Sequence, residues 1–225
     1  MAVGDDDPLY CATVKTWLQR EGHRVAVYPT PEAFLLGVRR INPEVALLDV
    51  VFGRQNGRKL CRDLRDDPAT KDIAVILVSA LRREVADMVD GLENGADDYL
   101  LKPLDRQLTL AKLNCVMRRL QAPEELAGVL VHYDLSLDVH GRQAHVGSRD
   151  VPLTKMEFDL LTYLLRHKGR VLSVRQLLDA VWDCEPEASI DSATVQVHIS
   201  RLRKKLGESF AERLKTLVNA GYRLD

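Results

Sequence analysis

Residues 45–49 read Val-Ala-Leu-Leu-Asp, a short apolar run that ends in a carboxylate. The same arrangement recurs in the first half of the chain, where apolar runs precede Asp5 and Asp6, Ser79, and Lys102. Short apolar runs separated by longer amphipathic segments are typical of buried parallel strands that alternate with helices. Because the carboxyl ends of parallel strands meet at one edge of a sheet, these polar side chains are predicted to converge there.

The converging groups are three carboxylates, a hydroxyl and an ammonium. Mg²⁺ prefers carboxylate oxygens together with waters and phosphate oxygens, so Asp5, Asp6 and Asp49 supply a partial set of ligands. Asp49 would be the nucleophile, the Lys102 ammonium would neutralise a phosphoryl group, and Ser79 would donate to one of its oxygens. Each acid taken singly is more simply a solvated loop residue. All of them together, in this order, favour a Mg²⁺-dependent phosphoacceptor.

The composition of the whole chain limits the class of protein. Its 225 residues leave room for two domains, and the net charge of −1 gives no global sign of nucleic-acid binding. Residues 191–225, however, hold seven basic residues against four acidic ones. The four cysteines are widely spaced and form no CxxC motif, which indicates reduced thiols in a cytosolic protein. No apolar run approaches the roughly 20 residues that span a bilayer, so a cytoplasmic protein without a membrane segment is expected.

The order of predicted elements divides the chain at a short polar segment. Residues 1–120 contain five strands and five helices, the pattern of a parallel sheet covered by helices on both faces. Residues 121–128 are predicted to be a linker. Residues 129–225 begin with short antiparallel strands and continue with three helices and a final strand-turn-strand wing. Two of these helices open with capping-box patterns, Thr154 with Glu157 and Ser173 with Gln176.

The third helix of this second part, residues 190–206, is basic on one side. On a helical wheel the stripe that faces the core comprises Val195, Ile199, Leu202 and Leu206. The opposite face is predicted to comprise Val197, Ser200, Arg201 and Lys204. Such a mixed face with cations suits the major groove of DNA, and Arg223 in the wing could reach a minor groove. Without the wing, an ordinary solvated helix face would be the better interpretation.

Residues 1–120 resemble a response-regulator receiver domain. The resemblance rests on Asp5-Asp6, on Asp49 followed eight residues later by Gly57, on Ser79-Ala80, and on residues 95–103, Gly-Ala-Asp-Asp-Tyr-Leu-Leu-Lys-Pro. It implies a flavodoxin-like sheet of order 2-1-3-4-5 and phosphate transfer from a sensor histidine kinase. It also implies Mg²⁺ bound by the three acids and the Val51 carbonyl, with Ser79 and Tyr99 as a switch pair.

Two departures from the receiver pattern affect the expected chemistry. The positions that govern phosphate hydrolysis in the family carry Val51 and Leu81, neither of which can orient an attacking water. A long-lived phosphoryl group is therefore expected. The first strand is short and includes Gly4, which predicts either a truncated start or a looser metal site than usual.

The family implies a homodimer through the fourth helix, the fifth strand and the fifth helix. Motif alignment places charged partners of this interface at Asp97, Asp98, Lys112 and Arg119. Met88 and Leu108 stand where an oppositely charged pair is usual. One hypothesis is an apolar cross-dimer contact that depends less on salt and phosphorylation; the other is ordinary variation in helix packing.

Residues 129–225 resemble the winged-helix DNA-binding domain of OmpR and PhoB type regulators. The resemblance rests on Leu153-Thr154, Glu157-Phe158, residues 193–206 and Gly221-Tyr-Arg-Leu224. It implies head-to-tail binding of double-stranded promoter DNA at tandem repeats. The implied DNA contacts are Thr194, Val197, His198, Ser200, Arg201, Arg203, Lys204 and Arg223.

The sequence thus predicts a transcription regulator with an α/β flavodoxin-like receiver and a C-terminal winged helix-turn-helix domain, switched by phosphorylation of Asp49. One alternative keeps the fold but makes the receiver a constitutive dimerisation module. A second alternative is a phosphohydrolase with a phosphoaspartate intermediate. Such enzymes need another acid two residues after the nucleophile, where this chain has Val51, so an enzyme is not expected.

Overall fold

A computed structural model describes residues 1–80, 85–120, 128–182 and 190–225. The chain forms two compact units, Met1–Leu120 and Gln121–Asp225, called the N-terminal and C-terminal units below. Of the predicted linker, only Gly128 is described. Among the described residues, no helix combines the length and the apolarity that crossing a bilayer requires.

The N-terminal unit alternates strands and helices along its length. In order, its elements are β1 Ala2–Gly4, α1 Pro8–Arg20, β2 Ala26–Tyr28, α2 Pro31–Ile41, β3 Val45–Asp49, β4 Val51–Phe52, β5 Gln55–Asn56, α3 Gly57–Asp66, β6 Ala74–Ser79, α4 Val85–Glu93, β7 Asp98–Leu101 and α5 Arg106–Leu120. The predicted five helices and five sheet strands are confirmed. The strands β4 and β5, which pair with each other in a separate hairpin directly after β3, were not predicted.

All pairings within the main sheet are parallel, in the order β2-β1-β3-β6-β7. Because β4 and β5 lie outside this sheet, the order is the predicted 2-1-3-4-5. Every residue of β3 and β6 is buried, which explains why these strands are continuous apolar runs rather than alternating ones. The carboxyl ends of β1, β3, β6 and β7 therefore share one edge, and the acidic and basic side chains follow them.

Two glycines allow close packing behind this edge. A Cβ atom on Gly4 would lie 2.8 Å from Phe34 and 3.0 Å from Phe52, so the apolar layer under β1 has no room for a larger residue. A Cβ atom on Gly57 would lie 2.0 Å from the carbonyl oxygen of Asp49. Gly57 thus lets α3 begin directly against the loop that carries Asp49, which gives a physical reason for a glycine at this spacing.

The C-terminal unit places a four-stranded antiparallel sheet before its helices. Its elements are β8 Val129–His132, β9 Leu135–Asp138, β10 Gln143–Val146, β11 Arg149–Asp150, α6 Lys155–Arg166, α7 Val174–Leu177, a π-helical turn Leu178–Trp182, α8 Ile190–Leu206, α9 Glu208–Arg213, β12 Leu214–Leu217 and β13 Gly221–Leu224. The antiparallel sheet and the strand-turn-strand wing are confirmed. Asn219 at the wing tip adopts the left-handed conformation, with φ of 60°. The short helix α9 was not predicted.

Both predicted capping boxes are present, at Thr154 with Glu157 and at Ser173 with Gln176. The first of them also belongs to a buried ion cluster. Glu157 has no exposed surface, and its carboxylate lies 2.7 Å from Arg201 Nε and 2.7 Å from Lys205 Nζ. These contacts join the start of α6 to α8, the helix predicted to contact DNA.

The charges around Glu157 overcome the cost of burying it. Burial alone would raise the pKa of this carboxyl, but Arg201 and Lys205 outweigh burial and hold the pKa at about 2. Because the pKa is lower in the folded chain than its ordinary value of 4.5, the ion cluster stabilises the folded state at neutral pH.

The substitution Glu157→Gln keeps an acceptor for the Thr154 amide but removes the charge. We expect the free energy of unfolding at neutral pH to fall by roughly 3 kcal/mol. The difference from wild type should disappear as the pH falls from 4.5 to about 2, where the wild-type carboxylate is protonated. Urea unfolding followed by Trp182 fluorescence, with Trp17→Phe removing the other tryptophan, measures it.

Asp159→Asn is the matched control on the same helix. Asp159 makes a surface ion pair with Arg142, at 3.0 Å, so its loss should cost less than about 1 kcal/mol. Equal destabilisation by the two substitutions would contradict the role given to the buried cluster.

Candidate functional site

Four neighbouring strand ends in the N-terminal unit carry the predicted pocket residues. Asp5 follows β1, Asp49 ends β3, Ser79 ends β6, and Lys102 follows β7. The Lys102 backbone N–H donates to the Ser79 carbonyl oxygen at 2.7 Å, which continues the pairing of the two strands by one residue. This hydrogen bond delivers the Lys102 side chain to the edge where the acids lie.

The Lys102 ammonium bridges two of the acids. Its Nζ lies 2.6 Å from Asp5 Oδ2 and 3.2 Å from Asp49 Oδ1. Asp5 and Asp49 are buried, Asp6 is exposed, and carboxylate oxygens from all three lie within 4.8 Å of one another. The other oxygen of Asp5 accepts the Asp7 amide at 2.9 Å, which fixes its carboxylate plane.

This grouping changes the acidity of its members. Burial raises the pKa of Asp49 to about 6; Lys102 opposes that effect, and the neighbouring Asp5 adds to it. Burial alone would lower the pKa of Lys102, but its contacts with Asp5 and Asp49 raise it. Lys102 therefore stays charged, while Asp49 is an unusually basic carboxylate and so a better nucleophile than a solvated one.

The donor set fits Mg²⁺, the metal that the resemblance to receiver domains implies. Oxygen atoms from two buried carboxylates and one exposed carboxylate match the preference of Mg²⁺, and the exposed side leaves room for waters and a phosphate oxygen. The Val51 side chain is 57% exposed in the hairpin beside Asp49. Its carbonyl as a further ligand stays a prediction.

The proposed switch residues are both buried. Ser79 is 2% exposed, and so is Tyr99, whose ring packs under α4 close enough that a Cβ on Gly91 would lie 3.2 Å from its Cε2. The inward position of the Tyr99 ring is one of the two positions that a switch requires. Leu81 lies outside the described residues.

The predicted dimer residues need correction where their side chains are described. Asp97 was expected to offer a charge to a partner, but it is 1% exposed and accepts from Arg65 Nη2 at 2.6 Å and from the Val75 amide at 2.7 Å. Asp97 is therefore committed within the chain, because the Arg65 guanidinium and the Val75 amide bind its carboxylate there. Leu108 is half-buried and packs against the core of its own unit, so its part in an apolar dimer contact stays a prediction.

Asp98 and Lys112 form a buried pair with each other, at 2.9 Å, on β7 and α5. They are 1% and 6% exposed, so their charges are already matched within one chain. The side chains of Met88 and Arg119 lie outside the described residues. An interface along α4, β7 and α5 therefore stays a prediction.

The outward face of α8 differs from the one that the helical wheel predicted. Thr194, Val197, His198 and Arg201 are all at most 8% exposed. The helical wheel placed Arg201 opposite the core-facing stripe, whereas the buried Glu157 carboxylate draws its side chain inward. The His198 ring packs 5.2 Å from Trp182 of the π-helical turn, so α8 is covered on more than one side.

Four residues on one stripe of α8 remain accessible. Gln196 and Lys204 are exposed and Ser200 and Arg203 are half-buried. Gln196 was not predicted from the sequence. It lies one turn before Ser200, but it carries no charge, so a search for basic residues on the helix does not find it. Arg203 also reaches the wing, where its Nη2 donates to Thr216 Oγ1 at 2.9 Å.

The wing presents an apolar tip and a paired cation. Val218 is 85% exposed at the turn between β12 and β13. Arg223 projects from β13 and pairs with Asp225, with Nη2 and Oδ2 at 3.0 Å. The Asp225 carboxylate partly offsets the positive charge of Arg223.

A flavodoxin-like unit with an acidic pocket, joined to a winged-helix unit, defines a class of two-domain transcription regulators. Comparison with known families agrees with both halves. Residues 1–114 match the response regulator receiver domain, and residues 148–224 match the family described as transcriptional regulatory protein, C terminal.

Individual relatives extend along the whole chain. The phosphate regulon transcriptional regulatory protein PhoB of Rhizobium meliloti is 34% identical over 226 residues, which cover 100% of this chain and 98% of the relative. The transcriptional regulatory protein CseB of Streptomyces coelicolor is 36% identical over 233 residues, covering 99% and 95%. A solved structure of a RitR mutant shares the fold, with a TM-score of 0.76 at 22% identity over 100% of this chain and 97% of that one. This chain belongs to the OmpR/PhoB family of transcriptional response regulators.

Mg²⁺ binding should depend on the protonation of Asp49. A metal ligand must be deprotonated, so we expect the Mg²⁺ affinity to fall by about tenfold for each pH unit below the Asp49 pKa of about 6. Calorimetric titration with Mg²⁺ on both sides of that pH measures the profile.

Asp49→Asn should weaken the binding and remove the inflection, while Asp63→Asn, an exposed acid on α3, should leave both unchanged. A flat wild-type profile would show that Asp49 is not a ligand.

Lys204→Ala should weaken DNA binding for all sequences alike. Loss of one phosphate contact is expected to reduce the slope of log affinity against log salt by about one. Lys15→Ala removes the same charge from α1 in the N-terminal unit and serves as the control. Fluorescence anisotropy over a salt series compares the two; identical slopes would remove Lys204 from the interface.

Proposed function

We propose that this response regulator is phosphorylated on Asp49 by a sensor histidine kinase, dimerises, and binds tandem repeats in promoter DNA in the cytoplasm. The observation that carries the proposal is the Lys102 ammonium held between Asp5 and Asp49, at 2.6 and 3.2 Å. A cation beside a buried carboxylate of raised pKa is suited to phosphoryl transfer.

In the proposed transfer, an Asp49 carboxylate oxygen attacks phosphorus. The bond from phosphorus to the donor breaks, and its electron pair leaves with the donor group. Lys102 can turn one N–H toward a phosphoryl oxygen while it keeps its contact with Asp5. Ser79, at the next strand end, would donate to another oxygen.

Mg²⁺ held by Asp5, Asp6 and Asp49 would neutralise negative charge on the phosphoryl group. Asp5 can serve both the metal and Lys102 because its two oxygens face different partners. After transfer, the apolar Val51 offers no side-chain group to orient an attacking water, which supports the expected slow loss of the phosphoryl group.

The proposed output runs from the pocket to the α4, β7 and α5 surface. A phosphoryl group on Asp49 adds charge and acceptor oxygens that draw Ser79 inward. The Tyr99 ring beneath α4 can then turn into the space that Ser79 leaves. The changed surface would favour a homodimer. Two linked DNA-binding units then engage two repeats with a raised effective concentration.

For DNA recognition we propose the accessible stripe of α8 and the wing. The proposed contacts are Gln196, Ser200, Arg203, Lys204 and Arg223, of which the cations meet phosphates and the shorter side chains reach base edges. The buried Arg201 is proposed to hold α8 on Glu157 rather than to read bases.

DNase footprinting on the upstream region of the chain's own gene, with and without acetyl phosphate, tests the switch. Protection of paired repeats should strengthen when wild-type protein is treated. Asp49→Asn should show the weak, untreated pattern under both conditions, and Asp63→Asn should respond like wild type. Strong protection that is the same with and without acetyl phosphate, and the same in wild type and Asp49→Asn, would favour the constitutive dimerisation module instead.

A further inference from the structure

An aromatic ring is the third neighbour of the Lys102 ammonium, besides the carboxylates of Asp5 and Asp49. The Tyr10 ring on α1 lies with its centroid 4.1 Å from Lys102 Nζ. With Asp5 and Asp49 on the other sides, the ammonium has two carboxylates and one ring face as neighbours. A cation over a tyrosine face is attracted by the negative charge of the ring quadrupole.

The position of Tyr10 is fixed by its helix. Asp7 caps α1, and its Oδ1 accepts the backbone amides of Leu9 at 2.9 Å and Tyr10 at 3.1 Å. The ring therefore projects from a turn that is itself held beside Asp5. It forms part of a groove of about 300 Å³ with Lys102, and Trp17 lines the same groove two helical turns further on.

The ring face, not the hydroxyl, makes the contact. The Tyr10 hydroxyl is buried, and within the described residues no group hydrogen-bonds to it. A buried hydroxyl without a partner costs stability rather than adding it. The hydroxyl thus gives no reason for a tyrosine here, whereas the cation under the ring does.

We propose that Tyr10 is a positioning residue for Lys102, whose ring holds the ammonium against Asp5 and Asp49 in the geometry that phosphoryl transfer requires. This inference rests on the proposed function. Without the ring, the ammonium would exchange its third neighbour for water and sample other rotamers. The orientation before transfer would then be lost, although the charge would remain.

The rate of Asp49 phosphorylation by acetyl phosphate tests the role. Tyr10→Phe keeps the ring and should react like wild type, whereas Tyr10→Leu should react roughly two- to fivefold more slowly, as expected for a partly exposed cation–π contact. Tyr10→Met fills a similar volume without a ring and repeats the test should the leucine variant fail to fold. Trp17→Leu is the matched control and should keep the wild-type rate.

A double substitution separates positioning from general damage. In a Lys102→Gln background, Tyr10→Leu should cause no further loss, because the residue through which the ring acts is gone. A loss that persists in that background, or equal rates for the phenylalanine and leucine variants, would overturn the proposal.

Proton NMR reads the contact without any phosphorylation. The ε-methylene protons of Lys102 should lie upfield in wild type and in Tyr10→Phe, and return to an ordinary lysine position in Tyr10→Leu. An ordinary position in wild type would overturn the inference. If the chain took no phosphoryl group at all while the upfield shift was present, the proposed function would fail, and with it the positioning role, although the contact itself stood.

Discussion

The N-terminal site depends on the Lys102 ammonium lying between Asp5 and Asp49. Two buried carboxylates side by side repel each other, and a single cation at 2.6 and 3.2 Å offsets that repulsion. Lys102 reaches this position because β7 pairs with β6 and its amide donates to Ser79. The register of the parallel strands thus places the Lys102 ammonium beside the two carboxylates. This arrangement of charges is what the proposed phosphoryl transfer would use.

The C-terminal unit uses a buried charge for a different purpose. Glu157 joins α6 to α8 through Arg201 and Lys205, and Arg203 joins α8 to the wing through Thr216. Arg201, Lys205 and Arg203 therefore hold α8 in place. A simple count of basic residues would assign all three to DNA binding. The accessible stripe is narrow, so few side chains are left for the proposed contacts with DNA phosphates.

Much of the fold was predictable because polar residues lie at the ends of the strands that build the pocket and side-chain caps begin several helices. The capping boxes follow from such local signals, whereas the five-stranded order followed from the resemblance to receiver domains. The inward turn of Arg201 and of Asp97 was not predictable, because it depends on partners, Glu157 and Arg65, distant in sequence. The close approach of Phe34 to Gly4 was also not predictable, because a strand pattern does not reveal it; the looser metal site expected from Gly4 stays a prediction.

The most direct test is intact-protein and peptide mass spectrometry after treatment with acetyl phosphate and Mg²⁺. The account predicts one phosphoryl group per chain, on the peptide that contains Asp49, absent in Asp49→Asn and strongly reduced when Mg²⁺ is chelated. A wild-type chain that gains no phosphoryl group, or gains it on another residue, would contradict the claim that Asp5, Asp49 and Lys102 form a phosphoacceptor site.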